Sequence, residues 1–189
     1  MAHALTRVFD GIVDSITTNV TVKNAFTDSK ISTIGIWDTG ATGFVITKST
    51  AQKLGLKPVS AAKVRGVHGE RIVNVYAVEI TLHNDQITLT TSVTECDELS
   101  GDKSIGVLIG MDIIQMGDFC ITHENGKTIM SFIKPSQKAI NFVEDIREYN
   151  RMLTIHNAWK NKGMNGVLVE VESCIKIAME KLHTSKPYR

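Results

Sequence analysis

The chain has 189 residues, of which 42% are hydrophobic and 22% are charged, and its formal net charge is +1. This length is enough for one domain with a buried core, and the composition is neither that of a disordered chain nor that of a membrane-spanning one. A net charge so close to zero gives no electrostatic reason to expect a nucleic acid or an acidic membrane surface as partner.

The first half of the chain has the pattern of short strands with one helix. β-branched or alternating apolar segments separated by turn-prone residues predict strands at 8–13, 19–26 and 33–37. A short helix is predicted from Thr47 to Leu54, with Thr47 or Ser49 as its N-cap and Gly55 at its C-terminal end.

The middle of the chain continues this pattern of strands. Two strands joined across Gly66-Val67-His68-Gly69 predict a hairpin with glycines at its tip. The other predicted elements are strands at 62–67, 71–82, 86–94 and 105–109, a helical turn at 112–116 with Asp112 as N-cap, and a hairpin of 119–122 and 128–133 around Asn125-Gly126.

The character of the sequence changes after Lys134. Apolar residues then recur at helical spacing, which predicts an amphipathic helix over 137–160, and a second helical segment is expected towards Leu182. We therefore expect a β domain over residues 8–134 and a helical C-terminal extension over residues 135–189.

The stretch that carries chemistry is an apolar strand that runs directly into Asp38-Thr39-Gly40. Aspartate is a poor strand residue and is costly to bury unpaired, so its place at the end of a core strand asks for a reason. Acid–base hydrolysis of peptides supplies one, because two carboxylates held close together share a proton. One of them then acts as base towards water while the other donates to the carbonyl oxygen.

The chain contains one Asp-Thr-Gly and no second, and it is too short for an enzyme built from two duplicated halves. A pair of carboxylates therefore requires a second copy of the chain. Two-fold symmetry places the same residue of each copy on the axis, so we expect a homodimer.

Residues of about 10–134 resemble the retropepsin family, and within it the bacterial and cellular retroviral-like aspartic proteases. Asp38-Thr39-Gly40-Ala41 matches the catalytic motif of that family, and the segment from Leu108 to Ile114 is similar to its second signature. The hairpin between these two segments stands where the family has a flap. The residues that the second signature places near the site are Ile109, Gly110 and Asp112.

The resemblance implies a mainly β fold, a closed β lobe of the acid protease type, which acts as an obligate homodimer on extended peptides. Asp38 is then the catalytic carboxylate, Thr39 an interlocking hydroxyl, and Gly40 and Ala41 the rest of the active-site loop. The flap tip over the substrate is then the run Gly66, Val67, His68 and Gly69.

Two departures from the viral members concern the surroundings of the site. Met111 stands where they carry an arginine, so the ion pairs that brace the viral site are not expected here. The chain also continues for more than fifty residues past Lys134, so its dimer contacts are expected to differ.

Two other functions are compatible with the same sequence. The same fold could serve as a catalytically silent dimer that binds peptides or organises an assembly. The C-terminal helices could instead be the functional module.

Six scattered histidines without paired spacing predict no metal site, and no cofactor is expected. For Cys120 and His123, a buried structural cysteine is favoured over a nucleophile pair. Three cysteines, an odd number, and no apolar segment near Met1 predict a reduced chain in the cytoplasm.

Overall fold

The computed structural model describes residues 1–66, 69–83, 87–99, 101, 104–161, 173 and 175–177. The chain divides into two compact units, Met1–Gln137 and Lys138–Arg189. In chain order the elements are β1 His3–Phe9, β2 Thr17–Asn24, β3 Lys30–Trp37, β4 Val45–Thr47, α1 Lys48–Lys53, β5 Ser60–Gly66, β6 Gly69–Thr81, β7 Thr88–Cys96, β8 Ile105–Ile109, α2 Met111–Ile114, β9 Asp118–Glu124, β10 Lys127–Lys134 and α3 Phe142–Asn161.

The larger sheet of the first unit closes on itself. In the described part of the chain its strand order is β2-β3-β8-β4-β7-β6-β5, and β2 also pairs with β6. Six strands therefore form a ring, and β5 lies outside it as the hairpin partner of β6. This arrangement confirms the prediction of a mainly β fold with a closed lobe.

The core fills this ring because apolar residues alternate along its strands. Along β2, for example, Val20 and Val22 are buried while Asn19 and Thr21 point away from the core. The largest fully buried side chains of the unit are Phe44, Phe132, Ile46, Leu54, Ile80, Leu82, Ile109 and Met130.

A three-stranded sheet of order β1-β10-β9 packs against the ring. Its β9–β10 hairpin turns at Asn125 and Gly126, whose φ angles of 51° and 74° are those of the hairpin turn predicted there. The prediction of the first strand at 8–13 is wrong. The strand runs from His3 to Phe9, because the partner that fixes it is β10, more than a hundred residues along the chain.

The short helices are partly as predicted. Helix α1 has Thr47 as its N-cap, whose hydroxyl accepts from the backbone N–H of Thr50, as expected. Helix α2 begins at Met111 with Gly110 as its N-cap, so the prediction that Asp112 caps a helical turn over 112–116 is wrong. The three-residue strand β4 was not predicted.

The second unit contains α3, which begins at Phe142, five residues later than predicted. Residues 175–177 are also helical, and the remainder of the predicted second helical segment lies outside the described residues. Among the helices of the described residues, none combines the length and apolar character needed to cross a bilayer.

Candidate active site

Asp38 directly follows strand β3 and is partly exposed, and the residue before it is held rigidly. The preceding residue, Trp37, is 6% exposed and donates its indole N–H to the hydroxyl of Thr18 at 2.9 Å. Its ring stacks on Phe119 at 5.3 Å, with the planes only 14° apart, and contacts Phe132 at the same distance. Because a side chain held on three sides cannot rotate freely, the backbone that carries Asp38 is fixed.

The loop that follows folds back onto the carboxylate. The N–H of Gly40 donates to Oδ1 of Asp38 at 2.8 Å, and the N–H of Ala41 donates to the carbonyl of Asp38 at 3.3 Å. A Cβ at position 40 would lie 3.2 Å from Oδ1. Glycine thus allows the backbone to approach the carboxylate closely enough for a charge-assisted hydrogen bond.

Strand β8 and the start of α2 hold this loop through backbone hydrogen bonds. Strands β3 and β8 pair in parallel, and the N–H of Asp38 extends their pairing by donating to the carbonyl of Ile109 at 3.0 Å. The N–H of Met111 then donates to the carbonyl of Ala41 at 2.9 Å. The two sequence motifs, around Asp38 and around Gly110, are therefore adjacent in space and joined through their backbones.

Asp112 fastens the far end of the loop. Its Oδ2 accepts the N–H of Phe44 at 2.9 Å, and its Oδ1 accepts the N–H of Ile113 at the same distance. This carboxylate thus joins the helix α2 to the segment that leads from Asp38 into β4. Close packing accompanies the bond, since a Cβ on Gly110 would overlap the carbonyl of Gly43.

A row of partly exposed aliphatic side chains runs beside Asp38 and was missed by sequence reasoning. Ile36 is paired with Leu108, Leu108 with Val45, and Val45 with Thr94, across four adjacent strands. The three aliphatic residues and Thr94 lie on the face opposite the core, and the strand pleat places Asp38 on the same side as Ile36. The apolar segments were identified, but which residues face outward depends on the strand pairing.

The glycine-tipped hairpin is present as β5 and β6, with Gly66 paired to Gly69. Gly69 has a φ of +100°, a conformation that residues with a side chain rarely adopt. Val67 and His68, predicted at the tip, lie outside the described residues. The row beside Asp38 continues into this hairpin, because Thr94 is paired with Val75 of β6.

Polar contacts between the hairpin and the residues at the end of β7 were also missed. Oε2 of Glu95 accepts hydrogen bonds from the hydroxyl of Tyr76 and the amide of Asn74. Oδ2 of Asp97 accepts Nη1 of Arg71 at 2.9 Å, and its Oδ1 accepts Nζ of Lys48 at 2.5 Å. Burial, followed by the hydrogen bond to Glu95, raises the pKa of Tyr76. These pairs join residues far apart in sequence, so no local pattern indicates them.

The sequence-predicted residues fall into two groups. Asp38, Gly40, Ala41, Ile109, Gly110 and Asp112 are in one connected cluster, and Thr39 is exposed at its edge. Gly66 and Gly69 lie at the far end of the hairpin. Within the described residues, no group of three or more His, Cys, Asp or Glu side chains is placed to hold a metal ion.

A family model described as aspartyl protease matches residues 20–113, which include Asp38 and the segment up to Ile113. No curated protein is similar enough in sequence to count as a match. The match spans β2 to α2 and contains both motifs of the cluster.

Three solved structures are similar to parts of this chain. A retropepsin-like aspartic protease from Rickettsia conorii is 16% identical, covers 71% of this chain and 96% of its own length, and has a TM-score of 0.46. The retroviral protease-like domain of Ddi1 from Leishmania major is 16% identical, with coverages of 62% and 94% and a TM-score of 0.39. The EIAV protease bound to the inhibitor HBY-793 is 20% identical, with coverages of 54% and 86% and a TM-score of 0.38.

The retropepsin-like resemblance drawn from the two motifs is confirmed at the level of the family. Residues 20–113, which contain the whole site cluster, match the aspartyl protease family.

Proposed function

We propose that the protein is an aspartic endopeptidase that works as a homodimer, with Asp38 of each chain forming the catalytic pair. One observation carries the proposal. The Asp38 carboxylate stands partly exposed at the end of a rigid strand, with Oδ1 held by the N–H of Gly40. Its Oδ2 has no donor among the described residues, so this oxygen is available to a partner group.

The chemistry follows from bringing two such carboxylates together. Both cannot ionise at close range, so they hold one proton between them and titrate as a pair. The ionised member accepts a proton from water, which attacks the peptide carbonyl, while the protonated member donates to the carbonyl oxygen. The hydrogen bond from Gly40 fixes the orientation of each carboxylate within its own loop.

The surrounding residues have proposed roles in binding. The exposed hydroxyl of Thr39 bonds across the two-fold axis and fixes the two loops together. The row of Ile36, Leu108 and Val45 forms an apolar floor for an extended peptide. The hairpin that carries Gly66, Val67, His68 and Gly69 is the flap above it.

The domain bounds, the partners and the location are also proposed. The protease domain is placed at residues 8–134 and the extension at 135–189. The partners are a second copy of this chain and an extended peptide or protein substrate, without nucleic acid or membrane, and the location is cytoplasmic.

A peptide library incubated with the purified chain tests the proposal. We expect cleavage by the parent and a loss of at least ~10²-fold in the Asp38→Asn variant, because the amide cannot share the proton. Asp28→Asn is the matched control, since it makes the same change at an exposed carboxylate. Equal turnover by the parent and Asp38→Asn rules out the proposed mechanism. Binding without cleavage by the parent would instead favour the silent peptide-binding dimer.

A further inference from the structure

The flap hairpin loses its attachment to the ring well before its tip. The pairing of β6 with β7 ends at Val75 and Thr94, whereas the pairing of β6 with β5 continues to Gly66 and Gly69. Residues 69–74 of β6 are thus hydrogen-bonded through the sheet to β5 only, among the described residues. A two-stranded ribbon has little stability of its own, so other contacts must hold it in place.

One set of contacts lies at the base of this ribbon. The buried Tyr76 donates its hydroxyl to Glu95, and the amide of Asn74 lies 3.5 Å from the same carboxylate oxygen. Because Asn74 and Tyr76 are next to the end of the β6–β7 pairing, these bonds fix the base. They leave the part of the ribbon beyond Asn74 unheld.

A second set lies farther out, where the ribbon would otherwise be free. Asp97 directly follows β7, and its Oδ2 accepts Nη1 of Arg71 at 2.9 Å. Its Oδ1 accepts Nζ of Lys48, the first residue of α1. Arg71 belongs to the ribbon, while Lys48 begins α1 and Asp97 follows a strand of the ring, so this ion pair connects the ribbon to the ring.

We propose that Asp97, held by Lys48 and paired with Arg71, is a latch that keeps the flap ribbon against the ring. Lys48 keeps its contact with the Asp97 carboxylate in both positions of the ribbon. The contact between Arg71 and Asp97 breaks when the ribbon moves away from the ring. That this ribbon covers a bound substrate rests on the proposed function. The latch itself rests on the contacts of these three side chains.

The charges and exposure set the strength of the latch. The hydrogen bond from Lys48, and next that from Arg71, hold the pKa of Asp97 below its usual value, so the carboxylate is charged at neutral pH. All three side chains are more than half exposed. Exposed ion pairs are weak and screened by salt, so the latch changes the open fraction of the ribbon by about two- to fivefold.

The position of the ribbon can be measured without any catalytic activity. Spin labels are attached at Ile72→Cys on the ribbon and Thr90→Cys on β7, both exposed positions, with Cys96, Cys120 and Cys174 changed to serine. The labelled full-length chain is diluted with unlabelled chain, so that distances within one chain dominate. Double electron–electron resonance then gives the distribution of distances between ribbon and ring.

Asp97→Asn and Arg71→Gln should each raise the fraction of long distances about two- to fivefold at low salt. The parent should approach the variants in concentrated NaCl. Glu70→Gln is the matched control, because Glu70 pairs with Lys63 and Arg65 inside the hairpin and should leave the distribution unchanged. Parent-like distributions in both Asp97→Asn and Arg71→Gln, or an equal opening in Glu70→Gln, would overturn the latch. Loss of cleavage by Asp38→Asn is a separate result, so the two proposals can fail independently.

Discussion

Asp112 shows how one side chain can hold together two segments distant in sequence. Each of its carboxylate oxygens accepts a backbone N–H, one from Phe44 and one from Ile113. The position was identified from the sequence as close to the site, but as a helix cap. The local pattern, an acidic residue at the start of a helix, correctly indicated that Asp112 lies in the first turn of α2. The acceptor role towards Phe44 depends on a contact 68 residues away and has no local signature.

Removing this carboxylate should loosen the loop that carries Asp38. Asp112→Ala leaves the N–H of Phe44, part of a buried residue, without its acceptor, and we expect a loss of about 1–3 kcal/mol in the free energy of unfolding. Asp112→Asn keeps one acceptor oxygen and should lose less. Urea denaturation measures both, and an unchanged midpoint in Asp112→Ala would show that the bond contributes nothing.

Cys96 offers a test of burial beside the latch. Burial, with a smaller contribution from the charge of Asp97, raises the pKa of the Cys96 thiol from its ordinary 9.0 to about 11. The thiolate is therefore disfavoured in the folded state. A group of this kind stabilises the fold fully below pH 9, and its contribution is lost as the pH rises through 11.

The same shift should appear in the reactivity of the thiol. At pH 8.5 the folded chain should be alkylated at Cys96 by iodoacetamide about 10²-fold more slowly than the unfolded chain, because only the thiolate reacts. Mass spectrometry of the peptide containing Cys96 follows the reaction. Folded and unfolded rates that agree within about threefold would contradict the expectation.

At the scale of elements, the site is formed where the segment after β3 crosses the end of β8. The parallel pairing of these strands brings Gly110 against the backbone at Gly43. A side chain at position 110 would force the two segments apart, because a Cβ there would lie 2.9 Å from the nitrogen of Gly43 and 2.7 Å from its carbonyl carbon. Backbone on the opposite side cannot rotate out of the way as a flexible side chain could.

Gly110→Ala should therefore separate the two segments. We expect a loss of about 1–3 kcal/mol in the free energy of unfolding, typical of overpacking, together with reduced cleavage. Gly11→Ala is the control, since a Cβ at position 11 meets nothing within 4 Å. Thermal unfolding compares the three proteins. If Gly110→Ala melts with the parent, the crossing is less tight than described.

Much of this element structure could be predicted from the sequence, and the exceptions share a cause. Helix α1 and the hairpin at Asn125 carry their own caps and turn residues, so local chemistry determines them. Strand β4 has three residues and exists because β8 and β7 pair with it on either side. The first strand was placed too late for the same reason, as its position is set by β10. In the site, Asp38 and its glycines were recognisable, whereas the ion pairs of Asp97 were not.

The whole molecule is proposed to require two copies, and mixing experiments test this directly. If each active particle needs Asp38 from both chains, parent mixed with inactive Asp38→Asn should lose activity as the square of the parent fraction. Activity is measured after the two chains have equilibrated at constant total concentration. A linear decline would indicate that each chain cuts alone, and it would contradict the homodimer. Asp28→Asn in place of Asp38→Asn should leave activity unchanged at every ratio.

The pairing of β1 with β10 has a consequence for how such particles come apart. From His3 to Phe9 the N-terminal strand is hydrogen-bonded within its own chain. If the proposed homodimer separates, each copy therefore keeps the strand pairings described for its own lobe. Dilution should accordingly yield folded but inactive monomers. Concentrating the same sample should restore peptide cleavage without a refolding step.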